Sequence, residues 1–329
     1  MTTTVRTPEN LDSRGMSAIT WHRPLLVLAA ASALLAVACG LGILLDSRMI
    51  LGVNLWEKPL KFAISIAVYA ITWSWLIGQL SRFRKVAWWA GTASAVLLVI
   101  EMVIIVGLAA AGGTSHFNVS TPFNTVMWSI MAFSITALWI ATFVVSIILF
   151  RNPFADPART VAVRAGALIA LAGMGLAFLM TGPTAAQLDD WQGIAGAHTV
   201  GLADGGPGIP VLGWSTVAGD LRIPHFVGMH ALQLIPLALL LLELASRRVA
   251  ILRSATVRRD LVWVVTGAYV ATLGLLTWQA LRGQSIVQPD ATTLAVAAVI
   301  AAASLAAAVA VVARGRMGST LARDDRSAQ

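Results

Sequence analysis

The sequence predicts an all-α fold, a polytopic transmembrane helix bundle of about eight spans with both termini on one side of the membrane. Three observations predict it. Of the 329 residues, 58% are hydrophobic and only 12% charged, with a mean hydropathy of +0.80, whereas about a quarter of residues are charged in soluble domains. Apolar stretches long enough to cross a hydrocarbon core of about 30 Å recur along the chain. The basic residues fall in short clusters between those stretches, the pattern that orientation in a membrane imposes. The net charge of +8 is therefore read as topology: the expected partner is the lipid bilayer, and no nucleic-acid binding is expected.

Residues 1–20 are polar and without helical period, and are read as a disordered cytoplasmic tail. Residues 21–314 form the membrane domain, with spans near 24–45, 59–80, 87–110, 123–150, 161–182, 224–245, 260–281 and 290–313, and residues 315–329 form a second cytoplasmic tail. The first span holds Ser32, Ala36 and Gly40 at four-residue spacing, and the fifth holds Gly166, Gly173 and Gly175; small residues of this kind let helices approach closely in lipid. Cys39 is the single cysteine, which excludes an internal disulfide. Its setting, Ala36-Val37-Ala38-Cys39, loosely resembles a lipidation signal, but the apolar run continues through Leu45 and reads as a plain span. The eighth span is nearly all Ala and Val and is placed at the periphery.

With the N-terminus inside, the inner segments hold 18 of the 23 Lys and Arg residues, and the outer ones hold only Arg48, Lys58, Lys61, Arg222 and Arg282. This bias places both termini in the cytoplasm and the protein in the cell inner (plasma) membrane. The loop at 183–223, rich in Gly and Pro, then lies outside, and it reads equally as a lid over an outward-facing site or as an ordinary exposed loop. Pro59, Pro122, Pro224 and Pro289 stand at or beside the first turn of the inward-running spans, where the missing N–H costs nothing.

The candidate chemistry lies on the same outer side. In the second span a 100° advance puts Lys61, Ser65, Tyr69, Thr72 and Gln79 along one side. Lys61 faces the positive end of the helix dipole, so an acidic partner is expected, Glu57 or Glu101; Lys58 reads equally as a residue that snorkels to the interface or as part of the site. Glu101 lies deep in the third span, where a charged carboxylate costs roughly 2.5–3.5 kcal/mol and must be neutral, paired or facing water. His116 sits in the next loop, in Ser115-His116-Phe117-Asn118, where a lone histidine is usually solvated. Asp220, Arg222, His225, His230 and Gln233 crowd into fourteen residues at the mouth of the sixth span. Asp220 and Arg222 read as a helix-entrance pair or as site residues. His225 and His230 are five apart, so one regular helix does not offer both to one metal; a haem or transition metal bound by them needs His116 or an acid from elsewhere. His22 and His198 read as incidental, and Glu243 as a structural acid beside Arg247. No glycine-rich phosphate loop, nucleophile elbow or CxxC pair is present, which counts against ATP-driven transport and familiar hydrolase chemistry.

The segments WEKPLKF at 56–62, SHFN at 115–118 and GDLRIPHFVGMHALQ at 219–233 resemble a family of uncharacterised bacterial polytopic membrane proteins. The resemblance covers roughly spans two to six; it implies a bacterial multi-pass membrane protein and carries over no substrate, cofactor or catalytic residue. Three readings follow for a polar, His-containing site open to the outside: a membrane-embedded metal- or haem-dependent enzyme or redox protein, a proton-coupled small-solute transporter, or a structural or sensory membrane protein.

Overall fold

The computed structural model describes residues 20–327 apart from Pro153 and Ala155, so the tail expected at 1–20 lies, but for Thr20, outside the described residues. Among these residues seven helices are long and apolar enough to cross a membrane, and an eighth span results when two helices meeting at a 49° bend are taken together. The chain is thus an all-α, multi-pass membrane protein.

Helix α1 (Arg23–Leu45) starts on His22, whose imidazole accepts from the Leu25 amide at 3.3 Å, with a proline in the first turn. His22 is 2% exposed and also meets the Trp88 carbonyl, so it is a helix cap and not incidental. Cys39 is buried within α1, which runs on to Leu45. A two-strand turn follows, β1 (Met49–Ile50) paired antiparallel with β2 (Val53–Asn54). Leu51 and Gly52 both take positive φ there, the conformation that matches hairpin twist.

Next come α2 (Glu57–Gly78), α3 (Arg84–Ala110), α4 (Pro122–Arg151) and α5 (Pro157–Gly175). Asp156 caps α5 by accepting from Ala158 and Arg159 at 2.7 and 3.1 Å. With Pro157 next in line, this start signal opens the helix four residues before the span expected at 161. A 3-10 turn, Leu176–Met180, continues it. The short α6 (Ala185–Asp189) carries a capping box between Thr184 and Gln187. Strands β3 (Thr199–Val200) and β4 (Gly219–Asp220) then pair antiparallel.

The regular helix expected at 224–245 is instead two, α7 (Arg222–Met229) and α8 (Ala231–Ala245), bent by 49° at His230. Two features account for the bend. Gly228 packs against Gly173 of α5 so closely that a Cβ on either would collide with the other's backbone, and Pro236 withholds the N–H that the turn just beyond the bend would use. After a 3-10 turn at Ala250–Arg253 come α9 (Ala255–Leu281) and α10 (Ala291–Ser327). α10 continues through the residues expected to form a separate tail from 315. Its membrane-length portion, Ala291–Met317, buries nothing in the bundle, as its peripheral placement predicts.

The helices pack as two groups, α1 to α4 and α5 with α7 to α10, joined where α4 meets α5 and where α2 passes α8. Small residues set the approach within the second group: Gly166 faces the Ala231 and Leu232 backbone as Gly173 faces Gly228. Gly40 has open space beside it and contributes no close packing; in its region it is Gly42 that lies against a neighbour, the Trp56 ring. At one end of the bundle residues 111–121 and 181–221 form an ordered cap. Val119 and Ala195 amides donate to the Gly193 and Phe117 carbonyls, each at 2.8 Å, and Phe117, Met180, Leu221 and Ala280 form a small apolar core beneath them.

Candidate functional site

Two polar groups lie at the cap end of the bundle, and a third runs down from it along α2. The first is built on Glu101, nine residues before the end of α3, or about 14 Å at 1.5 Å per residue. Its side chain is 1% exposed, and neither carboxylate oxygen has a hydrogen-bond partner. Facing it is His116, whose Nε2 lies 4.0 Å from Oε1. That distance is too long for a hydrogen bond. The other ring nitrogen, Nδ1, lies 3.0 Å from the Lys58 ammonium and 3.1 Å from the Ser115 hydroxyl. An ammonium only donates, so Nδ1 accepts and the neutral ring carries its proton on Nε2, toward Glu101.

The surroundings keep His116 in that neutral form. It is enclosed by the Phe62, Phe117 and Trp128 rings, 5.5–6.0 Å between centroids. Burial, followed by the positive charge of Lys58 and the neighbouring His198, holds its pKa well below the usual value. The solvated loop histidine expected from the sequence is therefore a buried one. The lysine beside Glu101 is also a correction: Lys58 takes the place expected for Lys61. The 111–121 loop folds inward to bring His116 onto Lys58, a path that helical periodicity does not report.

The second group ties the cap to α2 and α7. Asp220, 1% exposed, accepts from the Arg222 guanidinium at 2.5–3.2 Å and from the Ser215 amide at 2.8 Å. The pair expected at the helix entrance is thus present. Arg222 Nη2 also donates to the Gly213 carbonyl at 2.5 Å, and Lys61 Nζ donates to the Leu212 carbonyl at 2.7 Å. Lys61 therefore meets a backbone carbonyl of the cap and not a carboxylate. Glu57, its other expected partner, keeps one carboxylate oxygen buried and unbonded. His198, read as incidental, donates from Nδ1 to Asp204 at 2.6 Å and packs on Phe117 at 4.9 Å. Burial lowers its pKa despite Asp204. Burial raises that of Asp204, but hydrogen bonds from His198 and Thr199 outweigh it and hold the carboxyl well below the usual range. No sequence pattern marks this pair, six residues apart in an irregular loop.

The third group lies between α2 and α8. His230 Nε2 lies 3.4 Å from the Ser65 hydroxyl, and Gln233 Nε2 donates to the Thr72 hydroxyl at 3.2 Å. Gln79 shares that side of α2, and its Nε2 and the Gln233 Oε1 are buried without partners. From Lys61 to Gln79 this half-buried seam spans eighteen residues, about 27 Å at 1.5 Å per residue. Tyr69, expected on the same side, turns into the α1–α4 group and meets the Thr142 hydroxyl at 2.9 Å. His225 leaves the seam as well. The bend directs its Nδ1 to the Gly173 carbonyl at 2.8 Å, so His225 and His230 lie on different faces.

The fold thus gathers Lys58, Glu101 and His116 in one place, Lys61, Asp220 and Arg222 in a second, and His230 with Gln233 in a third. It does not gather His116, His225 and His230. Among the described residues no group of three or more His, Cys, Asp or Glu side chains is placed to hold a metal ion. Away from the cap, Glu243 pairs with Arg159 at 3.0 Å and not with Arg247. Comparison with known proteins finds no matching family model, no matching curated protein and no matching solved structure.

Proposed function

We propose that this chain is a proton-coupled carrier of a small solute, with its proton site at the capped, extracytoplasmic end of the bundle. One observation carries the reading: a buried carboxylate with no hydrogen-bond partner, Glu101, faced by the Nε2 of His116. A membrane protein keeps an ionisable group at such depth at a cost of a few kcal/mol, and does so mainly where protons or solutes pass. His116 relays the proton. Lys58 on its far nitrogen favours the neutral ring and repels a second proton. The extracytoplasmic assignment rests on the concentration of Arg and Lys at the opposite end. The bacterial inner membrane is the location consistent with that orientation and with the resemblance noted above.

The seam between α2 and α8 favours a carrier over an enzyme using the same acid and base. It supplies polar groups through the depth of the bundle, where the two helix groups meet. A metal shared by His116, His225 and His230 would need the three to converge, and each is held by separate partners.

The test uses purified protein in proteoliposomes with a luminal pH dye. Amino acids, sugars, small carboxylates and inorganic phosphate are presented one at a time. A solute-dependent proton movement is expected in the wild type, lost in Glu101→Gln and kept in Glu243→Gln. No movement above empty liposomes with any solute, or full movement in Glu101→Gln, would overturn the proposal.

A further inference from the structure

The second polar group carries an inference about the solute. Lys61 and Arg222 hold two consecutive carbonyls of one turn, those of Leu212 and Gly213. Val211 and Gly213 in that turn both take positive φ, 66° and 65°. A Cβ placed on Gly213 would lie 3.5 Å from Lys61 Nζ and 3.8 Å from Arg222 Nη1, so the two cationic groups converge on the same glycine. Asp220 is the acid bonded to Arg222; Lys61 donates to an uncharged carbonyl, with Glu57 and Asp220 the acids near enough to act on its charge. Two like charges drawn together around a turn are costly unless something negative joins them.

Directly beside them the cap encloses a cavity of about 260 Å³, lined by Arg222, Gly213, Thr199, Ser215, Gly205 and Gly206 among others. This is below the roughly 300–1,000 Å³ typical of pockets for drug-sized ligands, so it suits a solute of only a few heavy atoms. We infer that the cap cavity is a binding site for a small oxyanion, a carboxylate or phosphate, taken between Arg222 and Lys61. The inference rests on the carrier reading and names its substrate class. The oxyanion would accept from Arg222 Nη1 and from the Lys61 ammonium, with the Thr199 and Ser215 hydroxyls at the cavity wall. Its arrival draws Lys61 away from the Leu212 carbonyl and so releases the contact that ties the cap to α2.

The test is equilibrium binding to the detergent-solubilised protein, by calorimetry and by thermal shift, with acetate, inorganic phosphate and neutral acetamide as probes. Saturable binding of acetate or phosphate, with none of acetamide, is expected. Affinity should fall at least tenfold in Lys61→Gln and in the double variant Asp220→Asn/Arg222→Gln, which leaves no buried charge unpaired, and stay unchanged in Glu243→Gln, which lies away from the cap. Binding of neither anion, or wild-type affinity in both charge variants, overturns the inference whatever the proteoliposomes report. Anion binding lost in Lys61→Gln, in a wild type that moves no protons, would retain the oxyanion site and discard the carrier.

Discussion

Replacing Glu101 with glutamine separates a working carboxylate from a structural one by the sign of its effect on stability. The substitution keeps the side chain's shape and removes its ionisable proton. Were Glu101 an anchor in a buried ion pair with His116, 4.0 Å away, the attraction would be about 4 kcal/mol at an effective dielectric near 20. Breaking such a pair costs about 3–5 kcal/mol. At roughly 2–4 °C per kcal/mol for a chain of a few hundred residues, the melting temperature would drop by about 6 °C or more. The structure argues for the other outcome. The carboxylate has no hydrogen bond to lose, and His116 is held neutral by burial and by Lys58, so no ion pair between Glu101 and His116 stands at neutral pH. Glu101→Gln is therefore expected to melt at the wild-type temperature or up to about 3 °C above it. The chain's twelve tryptophans give the fluorescence signal for the melt. A drop of about 6 °C or more, with coupled proton movement intact, would refute the reasoning and make Glu101 a packing residue.

Acidification should weaken the fold. Burial depresses the pKa of His22, His116 and His198 in the folded chain, so their stabilising contribution is complete above about pH 6.5 and is lost as pH falls below it, by up to about 1.4 kcal/mol per pH unit for each. Melting temperatures from pH 7.5 down to pH 5 check this, and His198→Gln should flatten the slope; a curve flat through this range would contradict the histidine assignments. Asp204, whose pKa is depressed, adds stability that persists until pH falls below about 4. Gly173→Ala and Gly228→Ala each force a methyl into facing backbone and should lower stability by about 1–3 kcal/mol or more; unchanged melts would show that α5 and α7 do not cross as described. Glu243→Gln removes a largely exposed pair and should cost less than about 1 kcal/mol.

What the sequence disclosed follows from which forces are local. Hydropathy and span length identify the membrane helices, and most helix ends fall within a few residues of the expected ones, Pro122 being a start signal read along the chain, whereas Asp156 and Pro157 open α5 four residues early. Glu101 was conspicuous from its neighbours alone, being a carboxylate in VLLVIEMVIIVGL. Its partner was not, because His116 reaches it through an irregular loop whose course is set by pairing with Gly193 and Ile194. The choice between Lys58 and Lys61 failed for the same reason: helical angle places both at the outer mouth, and only the loops above decide which meets a carbonyl and which meets the imidazole. The directions taken by His225 and His230 were not legible, because α7 and α8 meet at a 49° bend where one straight helix was expected. The polar side of α2 was legible in Lys61, Ser65, Thr72 and Gln79, but its continuation onto His230 and Gln233 of α8 needed the packing.

The most direct test of the central claim is the protonation of Glu101 itself, followed by difference infrared spectroscopy as the protein in lipid is titrated between about pH 5 and pH 9. A carboxylic-acid band that appears on acidification, vanishes in Glu101→Gln and shifts its midpoint in His116→Phe and Lys58→Met is the predicted result. A spectrum in which Glu101→Gln and wild type titrate identically would contradict it, leaving Glu101 without any exchange of protons across the cap.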